Sequence, residues 1–111
     1  MEGVLMGWLL LFAAGCSEIV FAISLKYNDG FTKLWPSVVT GVSGAGSFYL
    51  LMLAIRTLPL GTAYAVWTGM GAVGVAIIGI FLFKESADWF RLASILLIIV
   101  GIVGLKLTHV E

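Results

Sequence analysis

Four apolar segments, each about as long as a lipid bilayer is thick, follow one another along the chain between short polar breaks. They cover residues 3–25, 34–55, 60–83 and 89–107. A membrane-spanning helix needs about 20 apolar residues to cross a hydrocarbon core of about 30 Å. The sequence therefore predicts an all-α membrane protein with four transmembrane helices, forming one domain over residues 1–111.

The composition excludes a soluble domain of this length. Hydrophobic residues make up 61% of the chain, charged residues 11%, and the mean hydropathy is +1.14. Six basic and six acidic side chains give a net charge of zero, so nothing indicates a nucleic-acid partner. The single cysteine, Cys16, cannot form an internal disulfide, and no Cys/His group has the spacing of a metal site. We expect no metal and no cofactor.

Glu18 is the only charged residue in the first apolar segment. A charge at the centre of a bilayer costs roughly 2.5–3.5 kcal/mol on insertion scales, so such a residue faces a partner or a water-filled cavity rather than lipid. Four helices of this size form a thin structure that can hardly enclose a cavity. We therefore expect Glu18 to be a binding site and the working unit to be a dimer.

The two sides of the membrane differ slightly in basic residues, with Lys26, Lys33, Lys84 and Arg91 on one side and Arg56 and Lys106 on the other. This weak bias places the first and third loops inside and permits insertion in both orientations. Lys106 is expected to extend its amine to the membrane edge. His109, in the tail, is expected to be solvated.

Small residues occur at positions that suit helix packing. Residues 69–74 fit G-x-G-x-x-G, but a dinucleotide site needs a preceding strand, so we interpret them as a packing or bending point in the third helix. Ser94 and Gly101 lie seven residues apart on one face of the fourth helix, which suits packing between the subunits of a dimer. Packing within one subunit is the alternative.

Several stretches of the sequence resemble the small multidrug resistance family of proton-coupled exporters. They are A-G-C-S-E at 14–18, G-F-T-K-L-W-P-S at 30–37, P-L-G-T-A-Y-A-V-W-T-G at 59–69 and G-L-K at 104–106. The resemblance covers essentially the whole chain. T-G-M-G-A at 68–72 and F-K-E-S at 83–86, together with the terminal G-L-K, look more like the guanidinium-exporter subtype than the broad drug-exporter subtype.

This resemblance implies an antiparallel homodimer in the bacterial inner membrane, often inserted in both orientations. Its two central glutamates, Glu18 in each subunit, would bind either protons or a cationic substrate. The implied function is proton-coupled antiport that exports guanidinium and small substituted guanidinyl cations, and that extends to hydrophobic quaternary ammonium compounds. No enzyme activity is expected, because no pair of a nucleophile and a base is visible at membrane depth.

Three alternatives stay open at this point. The chain could form a broad multidrug cation exporter, or one subunit of a heterodimeric pair within the same family. It could also be a membrane assembly subunit that transports nothing, in which Glu18 would pair with a basic residue of a partner helix.

The resemblance also implies residues that support the carboxylate. Ser47, Tyr64 and Trp67 fall at positions that form a polar network around the glutamate in guanidinium exporters. Tyr64 and Trp67 are three residues apart and share a helix face, although an aromatic belt at the membrane surface is the alternative. Gly15, about one turn before Glu18, is expected to leave room beside the carboxylate.

Phe21 departs from the family pattern. Guanidinium exporters usually have a tryptophan three residues after the glutamate, whereas Phe21 keeps an aromatic face and has no N–H donor. We expect guanidinyl binding to persist but to be weaker, with more tolerance for hydrophobic substituents.

Overall fold

The computed structural model of the protein describes residues 2–108, with side chains from residue 3 onward. Its four helices are α1 (Glu2–Tyr27), α2 (Leu34–Ala54), α3 (Leu60–Leu82) and α4 (Trp89–Thr108). All four are long and apolar enough to cross a membrane. The prediction of an all-α protein with four membrane-spanning helices is confirmed to that extent. His109 lies outside the described residues.

The helices are arranged with α1 in the middle, in contact with both α2 and α3, and with α4 packed against α3. The subunit measures 43 × 35 × 17 Å along its principal axes. Its smallest dimension is less than two helix diameters, since a helix with side chains is about 10–12 Å wide. A cavity between these helices is therefore open on at least one side of the subunit.

A buried hydrogen-bond cluster ties the end of α1 to the start of α2. The Thr40 hydroxyl accepts the Asn28 side-chain N–H at 3.0 Å and lies 2.7 Å from the Ser24 hydroxyl, where either hydroxyl can donate. All three side chains are buried. Because each hydroxyl or amide finds its partner inside this cluster, the cluster fixes the two helices relative to each other.

The end of α1 lies two residues beyond its expected position. The apolar pattern places the end at Leu25, but the helix continues to Tyr27. The Asn28 backbone N–H still donates to the Ser24 carbonyl at 2.9 Å, which extends the helical bonding pattern to the buried Asn28. The chain then turns at Gly30, whose φ of +68° is a conformation that glycine adopts without strain.

We expect Thr40→Val to lower the free energy of unfolding by about 1–3 kcal/mol, because the buried groups of Asn28 and Ser24 lose a partner. Thermal unfolding of the protein in detergent micelles measures the change. Ser43→Ala is the matched control, since the Ser43 hydroxyl bonds to the Val39 carbonyl of its own helix at 2.6 Å. The control should stay within about 0.5 kcal/mol of the wild type. Equal destabilisation by both variants would contradict the role given to the cluster.

The closely packed part of the subunit lies at the end that carries the α2–α3 loop. Its buried residues are Leu11, Ala14, Leu51, Ala54, Leu58, Ala63, Val66 and Trp67. They come from the first half of α1, the second half of α2, the α2–α3 loop and the first half of α3. The other halves of these helices contribute no residue to this apolar core, and Glu18 follows the core on α1.

Most of α4 is uncovered by the rest of the subunit. Ile95 is its one buried residue within the described chain, and Ile102 packs against α3 where a side chain added at Gly69 would lie 3.1 Å from it. Ser94 and Gly101 are exposed, and nothing lies within 4 Å of the position that a Gly101 side chain would take. Neither residue is covered by another helix of the same subunit.

Candidate functional site

Glu18 lines a cavity of about 400 Å³ that opens between α1, α3 and the start of α4. The residues that line it are Glu18, Ala22, Thr68, Gly71, Ala72, Val75, Ala76, Glu85 and Arg91. The Glu18 side chain is partly exposed, so a small cation or water can reach its carboxylate. The α3 residues are mostly small, which leaves space opposite Glu18.

Because Gly71 has no side chain, it leaves the space that the Glu18 side chain occupies. A Cβ atom at position 71 would lie 2.6 Å from Glu18 Cγ, which is closer than real side-chain contacts. The sequence indicates Gly71 as part of a packing stretch and of the T-G-M-G-A motif, and neither pattern predicts this contact. The signal that could have found it is the helical spacing of the α3 lining residues, which are Thr68, Gly71, Ala72, Val75 and Ala76.

Gly15 lies against a different residue from the one expected. A Cβ atom there would lie 2.8 Å from Met70 Cε and 3.0 Å from Met70 Cβ. Gly15 therefore lets α1 approach α3 closely, and the room beside the carboxylate comes from Gly71.

Ser47 and Trp67 form a buried chain of hydrogen bonds that ends on α1. The Trp67 indole N–H donates to the Ser47 hydroxyl at 2.8 Å, and that hydroxyl donates to the Ala14 carbonyl at 2.8 Å. In an α-helix the Ala14 carbonyl also accepts the backbone N–H of Glu18. The chain of bonds therefore holds the turn of α1 that carries Glu18, and it does so without touching the carboxylate.

Tyr64 and Phe21 have different surroundings from the buried pair. The Tyr64 ring packs on Trp67 with 5.5 Å between centroids, but the side chain remains half exposed, whereas Trp67 is inside the subunit. Phe21 packs between α1 and α2, where a Cβ atom at Gly44 would lie 2.8 Å from its ring. Phe21 is absent from the lining of the Glu18 cavity.

Two charged residues of the cavity were not assigned to the site by sequence reasoning. Arg91 Nη2 donates to Glu85 Oε1 at 2.7 Å and to the Ala76 carbonyl at 3.0 Å. In the sequence, Arg91 is evident only as a charge near a loop, and Glu85 only as part of the F-K-E-S stretch. The cavity thus contains two carboxylates and one guanidinium.

Asp88 immediately precedes α4 and has a separate, structural role. Its carboxylate accepts the Arg91 backbone N–H at 2.9 Å and the Ser86 hydroxyl at 3.0 Å. The Arg91 backbone N–H, followed by the Ser86 hydroxyl, holds the pKa of Asp88 below its ordinary value. The ionised cap therefore contributes fully at neutral pH, and its contribution is lost only as the pH falls through this lowered pKa.

The four spans and the carboxylate cavity between them define a multi-pass membrane protein with an acidic site inside its helical region. The family model described as Small Multidrug Resistance protein matches residues 6–98. The match covers most of the chain, and the protein belongs to the small multidrug resistance family.

Curated relatives named as guanidinium exporters match nearly the whole chain. The protein from Escherichia coli strain K12 is 56% identical over 105 residues, which cover 94% of this chain and all of the relative. The one from Citrobacter freundii is 57% identical over 105 residues, with the same shares. The one from Yersinia pseudotuberculosis is 55% identical over 102 residues, or 92% of this chain and 98% of the relative. The predicted likeness to the guanidinium-exporter subtype is confirmed. These relatives are named as exporters and not as enzymes.

Proposed function

We propose that the protein is a proton-coupled antiporter that exports guanidinium and small substituted guanidinyl cations across the bacterial inner membrane. The observation that carries this proposal is the position of Glu18 in a small cavity within the spanning helices. The relatives named as guanidinium exporters support the choice of substrate. A planar guanidinium offers paired N–H donors that match the two oxygens of a carboxylate.

Proton movement and cation movement are coupled because the proton and the cation compete for the same carboxylate, that of Glu18. An ionised Glu18 can accept hydrogen bonds from the N–H groups of a cation. A protonated Glu18 is neutral, and one of its oxygens carries the proton. A proton arriving from outside the cell therefore displaces the cation, and departure of the proton toward the cytoplasm restores the site. No covalent step is needed.

The working unit in this proposal is an antiparallel homodimer. The subunit is 17 Å across its smallest dimension, and its α4 helix is largely uncovered, including Ser94 and Gly101. A second copy packed on this helix would cover it, and an inverted copy would offer the same site to the opposite side of the membrane. Reporter fusions at both termini, combined with crosslinking, test this arrangement. A parallel dimer in a single orientation would refute it.

Purified protein tests the function directly. Guanidinium added to weakly buffered protein should release protons, and a pH gradient across proteoliposomes should drive guanidinium movement against its own gradient. A panel of guanidinium, alkyl guanidinium and aromatic quaternary ammonium ions separates a guanidinium exporter from a broad drug exporter. A subunit that only pairs structurally with a partner helix would show neither proton release nor transport.

A further inference from the structure

Arg91 places a guanidinium group in the same cavity as Glu18. Its Nη2 atom donates to the Glu85 carboxylate and to the Ala76 carbonyl, and its Nε atom is buried without a hydrogen-bond partner among the described residues. Arg91 is therefore a cation of the same chemical kind as the proposed substrate, and it lines the same cavity as Glu18.

The position of Glu85 is fixed by the backbone around it. Lys84 has a φ of +58°, a conformation that is uncommon for residues other than glycine, and this turns the chain back toward α3. The Glu85 backbone N–H then donates to the Gly79 carbonyl at 3.1 Å. Gly79 is buried, and a side chain added there would collide with the Glu85 carboxylate. The turn and the glycine together bring the carboxylate to the place where it meets Arg91.

The residues that line the cavity carry a net charge of −1 when all of their ionisable groups are ionised. Glu18 and Glu85 contribute two negative charges and Arg91 one positive charge, while the other lining residues are uncharged. Asp88 lies outside the cavity lining, and its oxygens accept bonds from the Arg91 backbone and from Ser86. One monovalent cation or one proton therefore neutralises the cavity.

We propose that Glu85 is a positioning residue that holds the Arg91 guanidinium away from Glu18, so that Glu18 stays open to an external cation. The inference rests on the proposed function. Without Glu85, the remaining carboxylate of the cavity is Glu18, and a tethered guanidinium competes for it at the high effective concentration of an intramolecular partner. Arg91 then inhibits its own protein by the chemistry with which the substrate binds.

Guanidinium affinity of the purified full-length protein, measured by calorimetry, tests this inference in four variants. Glu85→Gln should weaken guanidinium binding about tenfold or more, because Arg91 is released toward Glu18. Arg91→Gln should leave the affinity unchanged or raise it, because the competing cation is gone. The double variant should return to within about threefold of the wild type, since it again holds one negative charge and no competitor.

Matched variants distinguish this role from a structural one. Asp88→Asn removes a carboxylate from the same loop but outside the cavity, and it keeps a good helix cap, so affinity should change by less than about threefold. Glu85→Asp keeps the carboxylate and should retain more affinity than Glu85→Gln. If the ion pair only stabilises the fold, Glu85→Gln and Arg91→Gln weaken binding alike and the double variant does not recover, which overturns the inference.

The test also gives an answer if Glu85→Gln does not fold, or if the wild-type protein does not bind guanidinium. If Glu85→Gln does not fold, Arg91→Gln decides alone, because tighter or equal binding supports the inference and weaker binding overturns it. If the wild type itself binds no guanidinium, the proposed function fails and this inference fails with it. That result is recognised by the wild-type titration before any variant is compared.

Discussion

Glu18→Gln should abolish pH-dependent guanidinium binding and transport while the protein still folds and inserts. Glutamine keeps the shape of the side chain and removes a charge that is costly at membrane depth, but it cannot exchange a proton for a cation. Loss of a charge-assisted pair of hydrogen bonds corresponds to about 3 kcal/mol or more, which is over about a hundredfold in affinity. Proton release on addition of guanidinium, measured with purified protein, reports the effect.

The control for this variant is Glu18→Asp. Aspartate keeps a carboxylate on a shorter side chain, so proton release should persist over a shifted pH range. Transport by Glu18→Gln at the wild-type rate would remove Glu18 from the mechanism.

Gly71→Ala should weaken guanidinium binding about tenfold without loss of stability. The added methyl group would lie 2.6 Å from Glu18 Cγ, so the Glu18 side chain must leave its present position. Alanine also favours the helix over glycine by about 1 kcal/mol, so thermal stability should stay level or rise as affinity falls. Calorimetric titration and thermal unfolding of the same preparation separate the two effects.

Gly61→Ala is the matched control in the same helix. Nothing lies within 4 Å of the Cβ atom that it would add, so affinity should remain that of the wild type. Equal affinity in Gly71→Ala and Gly61→Ala would contradict the contact between Gly71 and Glu18 as a determinant of the site.

The number and nature of the helices could be predicted from the sequence because each apolar segment has the length of a bilayer crossing. The bounds of the helices could be predicted less exactly. Some helix ends lie one or two residues away from the ends of the corresponding apolar segments. At the end of α1 the difference arises from Asn28, which is polar and yet buried through its bond to Thr40. No local pattern shows that a polar residue will find such a partner on another helix.

Only part of the site could be predicted from the sequence, for a similar reason. Glu18 is evident from its charge, and the family resemblance pointed to Ser47 and Trp67, which the structure joins by a hydrogen bond. That their bonds end at the Ala14 carbonyl depends on the register between α1 and α2, which spacing within one segment does not determine. The pairing of Glu85 with Arg91 depends on the left-handed turn at Lys84, and that turn has no glycine to indicate it.

The uneven packing along the subunit gives it a natural pivot. The buried core and the Ser47–Trp67 hydrogen bond lie toward the α2–α3 loop, while the Glu18 cavity lies beyond them toward the α3–α4 loop. Widening the cavity to admit or release an ion would move α3 away from α1 at a place where neither helix contributes to this core, while the buried Ser24–Asn28–Thr40 cluster keeps α1 and α2 together. The subunit would therefore open as α3, with α4 packed on it, turns about the core against the α1–α2 pair.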